Sequence, residues 1–280
     1  MKKWHLVVDV NLCTGCQNCV VATQDEYMNN DFKGYSKPGA AGVTPLSIEH
    51  RVRGTGSMVD AQHVPKMCNH CDDAPCIAAS DGAIYKRPDG LVIIDPDKAV
   101  GRKNLVSTCP YGMIKWNDEQ NVPQAWNFDA HLLDSGWKAP RAVQSCPIDA
   151  LKALHISDSD MEKAIAVEKL VVLQPELNTK PRVYYKNLSA FLSHFIGGNV
   201  SGTRDGEAEN IEGATIALLQ NSTPLAETLT DAFGDFKFEN LHDTSTGYSI
   251  SINHPDYTSQ IIEVSGILAE SKVLDISLSR

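Results

Sequence analysis

No stretch of this chain approaches the roughly 18 consecutive apolar residues that a membrane-spanning helix requires, so direct insertion into a bilayer is not expected. Positive charge is scarce as well: 25 Lys and Arg stand against 35 Asp and Glu, a formal net charge of −10. Nucleic acids and anionic bilayers both reward Lys and Arg, so neither is expected as a partner. A Gly-rich phosphate loop, a Ser–His–Asp order and an HExxH segment are all missing, and the chemistries those patterns serve are not expected here. The N-terminal MKKWHLVVDVNLC has a short apolar run broken by Asp9 and no small-residue cleavage site. It reads as a strand delivering a loop, not as a secretory leader. A reducing, cytoplasmic setting is therefore expected, in which closely spaced thiols act as metal ligands and not as disulfides.

What the chain does have is cysteine, and only in one part. All eight fall within residues 13–146, while the last 134 residues (280 minus 146) have none. With 280 residues, 42% hydrophobic and 21% charged, the chain is long enough for two globular domains. The cysteine count suggests that the two do different jobs.

The cysteines form four units. Cys13-Thr-Gly-Cys16-Gln-Asn-Cys19 places three thiols at i, i+3 and i+6 on a tight turn. The bacterial ferredoxin run is C-x2-C-x2-C-x3-C-P, whose fourth Cys serves the other cluster of a pair. Here the x3 step lands on Thr23. The second head is Cys68-Asn-His-Cys71-Asp-Asp-Ala-Pro-Cys76, the same run with a two-residue insertion, and its fourth position is Ser80. Cys109-Pro110 and Cys146-Pro147 are C-P endings without heads; counting back gives Leu105, Arg102 and Ala99 for one and Ala142 for the other. Two three-Cys heads and two one-Cys tails make two complete four-thiolate sets. Counting does not fix the pairing, but short connections are the default. The second head then takes the nearby tail, giving Cys68, Cys71, Cys76 and Cys109. The first closes on the far one, giving Cys13, Cys16, Cys19 and Cys146, and residue 146 becomes a neighbour of the N-terminus. Structural zinc favours paired C-x2-C pincers; a third Cys at i+6 with a C-P tail suits an iron–sulfur cube. His70, inside the second head, is not needed as a ligand and is expected near the ligands or at the surface.

Between these units, residues 4–10 read as a strand and Val20–Met28 as a short helix. Residues 29–60 read as irregular surface with one strand at Ser47–Val52. Pro88-Asp-Gly90 between apolar runs predicts a β-hairpin from Gly82 to Asp95. Asp129, His131 and Asp134 could suggest a carboxylate–histidine site, but the segment Ala130–Leu133 is expected to be a short helix with ordinary surface polar groups. Leu188–Phe195 reads as an amphipathic stretch with Phe191 and Phe195 on one face. Gly197-Gly-Asn199 and Gly202 read as a linker. Beyond it, Thr215–Leu219, Phe236–Phe238, Tyr248–Ile252, Gln260–Val264 and Val273–Leu278 have the spacing of a β-sandwich. The expected domains are 1–196 and 197–280.

Four such cysteine units in one chain resemble the iron–sulfur (beta) subunits of the dimethyl sulfoxide reductase family of molybdopterin enzymes. Asp95-Pro-Asp-Lys, Thr108-Cys-Pro-Tyr-Gly, Ala130-His-Leu-Leu-Asp134 and Thr179-Lys-Pro-Arg-Val-Tyr-Tyr-Lys-Asn-Leu188 are similar to the small-subunit type found in pyrogallol–phloroglucinol transhydroxylases. Phe233-Gly-Asp-Phe-Lys-Phe with the following Gly-Tyr strand resembles transthyretin-like domains. The resemblance implies an α+β chain: a ferredoxin-like iron–sulfur domain with four cysteine units, then a small all-β transthyretin-like sandwich. It implies a non-catalytic subunit holding two [4Fe–4S] clusters beside a large catalytic subunit that carries the molybdopterin cofactor, with Mo or W, and acts on hydroxylated aromatics. The alternative it leaves open is an electron-transfer subunit of a molybdopterin reductase or resorcinol-type hydroxylase, feeding an external acceptor or a membrane anchor.

The departures from the family pattern come in sets. The family's fourth unit has Cys at the places held here by Trp126, Asp129 and Ala142, with a partner ligand at Thr23. Ser80, Ala99, Arg102 and Leu105 are the four vacancies of another cluster. Trp126, Leu105 and Arg102 are bulky enough to help fill the emptied volume. In the family's row of four clusters, the two that remain would be the outer ones.

Overall fold

The computed structural model describes residues 1–39, 45–204, 206–242, 247–264 and 270–280. The chain divides into two compact units, residues 1–50 with 62–188, and residues 51–61 with 189–280. Among the described residues, no helix is long and apolar enough to cross a membrane.

In the first unit, β1 (Lys2–Asp9) leads through the first cysteine loop into α1 (Asn18–Tyr27). The strands β2 (Ser47–Thr55) and β3 (Met58–Lys66) pair as a hairpin whose tip, residues 51–61, belongs to the second unit. Only the first was expected, and over a shorter span. Gly54 and Gly56 adopt φ of 80° and 59° and turn the chain back into a polar-alternating strand that Pro65 disguises. After α2 (Pro75–Ala78), β4 (Ile84–Lys86) and β5 (Val92–Ile94) form the hairpin expected around Asp89-Gly90. A 3-10 turn at Lys103–Thr108 precedes the short pair β6 (Lys115–Asn117) and β7 (Val122–Gln124). Two short helices follow, α3 (Ala130–Asp134) and α4 (Arg141–Gln144). The unit is completed by β8 (Leu151–Ser157), α5 (Asp158–Glu168) and β9 (Val183–Lys186). Ser157 starts α5 by accepting the Asp160 N–H at 3.2 Å.

The central sheet has the order β8-β1-β9. β1 is antiparallel to β8 and parallel to β9. Trp4 to Val8 are all buried, which is why that stretch runs apolar without alternation. The register sets Val8 opposite Leu151, and the Asp9 N–H donates to the Ala150 carbonyl at 2.8 Å. The loop that leaves β1 and the loop that enters β8 are thereby held side by side.

The second unit is mostly β. The helix α6 (Ser189–Leu192) is one turn, after which the chain enters β10 (His194–Arg204). The expected amphipathic stretch is therefore a helix-to-strand junction, and Phe191 and Phe195 are both buried there. The remaining strands are β11 (Glu207–Asn210), β12 (Thr215–Gln220), β13 (Thr223–Leu229), β14 (Asp235–Leu241), β15 (Tyr248–His254), β16 (Tyr257–Val264) and β17 (Lys272–Leu278). One sheet has the order β11-β10-β14 with β17 also on β10; the other is β13-β12-β15-β16. Ile196, Val200, Phe236 and Ile276 of the first sheet share one apolar core with Ile216, Leu218, Ile250 and Ile252 of the second.

Gly197, Gly198 and Gly202 do not form a linker: they stand inside β10. A methyl at Gly198 would lie 2.3 Å from the Leu274 carbonyl oxygen, so the glycine permits close approach of β17. The boundary expected at 196/197 falls within this strand, and the second compact unit takes in residues 51–61 and 189–280.

Candidate metal centre

Cys13, Cys16, Cys19 and Cys146 line one cavity of about 290 Å³, with Ile48, Pro65, Ile148 and Leu151 among its walls. Three local devices place them. The chain leaves β1 through a turn in which the Cys13 N–H donates to the Val10 carbonyl at 3.2 Å. Gly15 takes φ of 69°, and a Cβ there would sit 2.9 Å from Nδ1 of His63, so only glycine fits beneath that ring. Cys19 then falls in the first turn of α1. Cys146, 127 positions beyond Cys19 (146 minus 19), arrives just after α4 and is brought in by the β1–β8 register.

Cys68, Cys71, Cys76 and Cys109 line a second cavity, of about 490 Å³, walled by Pro75, Ile84, Val92, Pro110 and Ile114. Cys68 and Cys71 follow β3, Cys76 lies in α2, and Cys109 ends the 3-10 turn. The pairing expected from connection length is thus the one that the fold brings together.

Burial pushes the Cys19 thiol up to about 12 and Cys76 to about 11, and raises Cys13, Cys68 and Cys71. Repulsion between thiolates of the same set adds to it. Main-chain groups of Gly15, Val20, His70 and Ile77 hydrogen-bond Cys13, Cys19, Cys68 and Cys76 in the opposite sense. The Met113 N–H donates to Cys109 Sγ at 3.4 Å. Sets of thiols held together against burial and mutual repulsion, and already met by N–H donors, fit a cationic iron–sulfur core.

The eight positions at which the resemblance implies further ligands fall in two packed places. Ala99 and Leu105 are fully buried in one apolar cluster with Ile84 and Ile114. Beside it, Ser80 accepts the Ile84 N–H at 3.0 Å, and Arg102 donates to the Ser80 carbonyl. Thr23, Trp126, Asp129 and Ala142 are each fully buried. Asp129 accepts from Trp126 Nε1 at 3.2 Å, Tyr27 Oη at 2.8 Å and the Arg141 N–H at 2.8 Å. Expecting surface polar groups around Ala130–Leu133 was wrong at two of the three positions. Asp129 is buried, and His131 is nearly so, with Nε2 2.8 Å from Glu26 and its ring stacked on Phe32 at 3.7 Å. Only Asp134 is well exposed, paired with Arg87 at 2.7 Å. Tyr27, Glu26 and Phe32, which meet this pair, come from about a hundred positions away, where local pattern gives no signal.

His70 is buried, not at the surface. Its Nδ1 accepts the Val92 N–H at 3.0 Å and lies 3.9 Å from Cys68 Sγ. Burial, then Lys86, hold its pKa down to about 3, so the ring is neutral. Sequence reasoning missed Lys86, Asp72 and Arg182 altogether, although a charged pair directly after Cys71 was a visible hint.

Residues 59–155 match the 4Fe-4S dicluster domain. The chain is 37% identical to the pyrogallol hydroxytransferase small subunit of Pelobacter acidigallici over 265 residues, 94% of this chain and 95% of that one. The chain belongs to the iron–sulfur subunits of the dimethyl sulfoxide reductase family of molybdopterin enzymes. Further members of this family are similar over a smaller share of its length. A sulfite dehydrogenase subunit of Allochromatium vinosum is 33% identical over 66% of this chain and 83% of its own length. A tetrathionate reductase subunit of Salmonella typhimurium is 30% identical over 70% and 77%. The first head, Cys13 to Cys19, precedes the matched domain, which contains the second head and both tails.

Proposed function

We propose that this iron–sulfur subunit holds two [4Fe–4S] clusters in a heterodimeric molybdopterin enzyme that acts on hydroxylated aromatics, in the manner of a transhydroxylase. The observation that carries the reading is that four thiols surround each of two cavities, with none left over. Cys13, Cys16, Cys19 and Cys146 would hold one cluster, and Cys68, Cys71, Cys76 and Cys109 the other. Similarity along nearly the whole chain to a hydroxytransferase subunit favours the aromatic substrate class. The clusters supply one-electron chemistry; this chain's own part is to bind and space them. The molybdopterin, with Mo or W, and the substrate would sit in the large partner subunit, in the cytoplasm. The all-β unit is assigned to the transthyretin-like class, with packing against the partner as its job.

The packed vacancies support a second element of the reading: no end-to-end relay runs through this subunit. That suits a reaction that moves a hydroxyl group between phenols without net electron exchange. The test is purification of the complex, with metal and iron analysis and redox titration followed by electron paramagnetic resonance. A co-purifying large subunit with molybdenum or tungsten, and two four-iron signals silent to substrate, is the expected result. Zinc, or one cluster per chain, would overturn the cluster assignment. Signals that change on addition of substrate would turn the reading towards an electron-transfer subunit of a reductase or hydroxylase.

A further inference from the structure

The two thiol sets differ in the charge behind them. Lys86, at the end of β4, reaches under the loop of the second set. Its ammonium donates to the carbonyl of His70 at 2.9 Å, to the carbonyl of Cys71 at 2.7 Å, and pairs with Asp72 at 2.5 Å. Three acceptors suit the three N–H bonds of a charged lysine; burial lowers its pKa, and the bond to Asp72 works the other way. Its counter-charge is shared. Asp72 also takes both prongs of the Arg182 fork, at 2.7 and 2.6 Å, and Arg182 goes on to Asp158 at 2.9 Å, which Lys3 also meets at 2.6 Å. Three cations are thus tied to two carboxylates, in a chain whose formal net charge is −10. By contrast, among the described residues no lysine or arginine lines the cavity of Cys13, Cys16, Cys19 and Cys146.

The same hairpin grips the loop a second time. While Lys86 holds the carbonyls of residues 70 and 71 from β4, the Val92 N–H of β5 holds the His70 ring. The position of the ammonium is therefore fixed with respect to Cys71. A fixed, largely buried cation next to a cluster stabilises the reduced, more negative core relative to the oxidised one, because outer residues of this kind set the potential of iron–sulfur sites.

We propose that Lys86 is a positioning residue that raises the reduction potential of the cluster on Cys68, Cys71, Cys76 and Cys109, and leaves the cluster on Cys13, Cys16, Cys19 and Cys146 untouched. The inference rests on the two-cluster reading above. Each cluster takes up one electron, supplied in the test by a reducing mediator dye.

The experiment is a dye-mediated redox titration of the full iron-loaded protein, followed by electron paramagnetic resonance, with iron analysis of every sample. Cys109→Ala and Cys146→Ala identify which signal belongs to which set. Lys86→Met is expected to keep its iron and to make the second cluster on the order of tenfold harder to reduce, which is 59 mV for one electron. The first cluster stays where it was. Lys86→Arg restores most of the potential. Asp72→Asn, which removes a negative charge from the same spot, moves the second cluster the other way. Full iron with an unmoved potential in Lys86→Met would overturn the proposal. So would shifts of the same sign in Lys86→Met and Asp72→Asn, which would mean a disturbed loop and not a charge effect. Absence of iron from the second set in the parent protein would instead bring down the cluster assignment, and this inference with it.

Discussion

Trp126 and Asp129 stand where thiolates of a further cluster would be in the family, and they occupy that place as a satisfied pair. Removing the indole should leave a cavity and take away one of the three donors to Asp129. Trp126→Ala is therefore expected to cost about 3–5 kcal/mol, read as a lower denaturation midpoint with the iron content unchanged. Cys146→Ala has the opposite signature. It should lose the first cluster, about half of the iron, because each cube needs four donors, and loosen the N-terminal strand to hydrogen exchange. Iron analysis that found no loss would refute the assignment of Cys146. His5 gives a dependence on pH. Burial, then Arg182, hold its pKa down from 6.5 to about 4. As the pH falls below 6.5 the unfolded chain takes up a proton that the folded chain refuses until about 4. Stability is thus fully present above 6.5 and is lost towards 4. Urea midpoints across that window should fall more steeply for the parent protein than for His5→Gln.

At the scale of elements, β10 is the most exacting. Gly198→Ala would drive a methyl into the Leu274 carbonyl and is expected to cost about 1–3 kcal/mol, visible as a lower Tm for the second unit. The same glycines explain what the sequence hid. Gly197, Gly198 and Gly202 look like a flexible connector because glycine is poor strand material in isolation; only the strand that lies against them shows why they are needed. Cys13 to Cys19 and Cys68 to Cys76 were legible because their spacing is local and chemically costly to reach by chance. The β4–β5 hairpin was legible from Asp89-Gly90, a turn signal of two residues. The β1–β8 pairing was legible only indirectly, through the demand that Cys146 find a head. The contacts of Asp129 with Tyr27 and of Asp72 with Arg182 left no trace, since these partners are about a hundred positions apart in the chain and charge alone does not say who meets whom.

For the molecule as a whole, the two-cluster proposal, with packed side chains at Leu105 and Trp126, predicts poor communication between the clusters. After full reduction of the complex, an oxidising dye should drain the two clusters at two different rates, and Trp126→Ala should not join them. A single shared rate would contradict the broken row. The β1–β8 register has a consequence for biosynthesis. The donors of the second set lie within 41 positions of one another (109 minus 68), those of the first span 133 (146 minus 13), and the strand beneath the first also needs β9 at Val183–Lys186. The loop of the second set waits just as long, because the Asp72 and Asp73 N–H groups donate to the carbonyls of Lys180 and Thr179, and the Arg182 N–H donates to the Asn69 carbonyl. Both centres therefore mature only once the chain has passed Lys186, and a ribosome stalled before Thr179 should release a fragment that retains neither cluster.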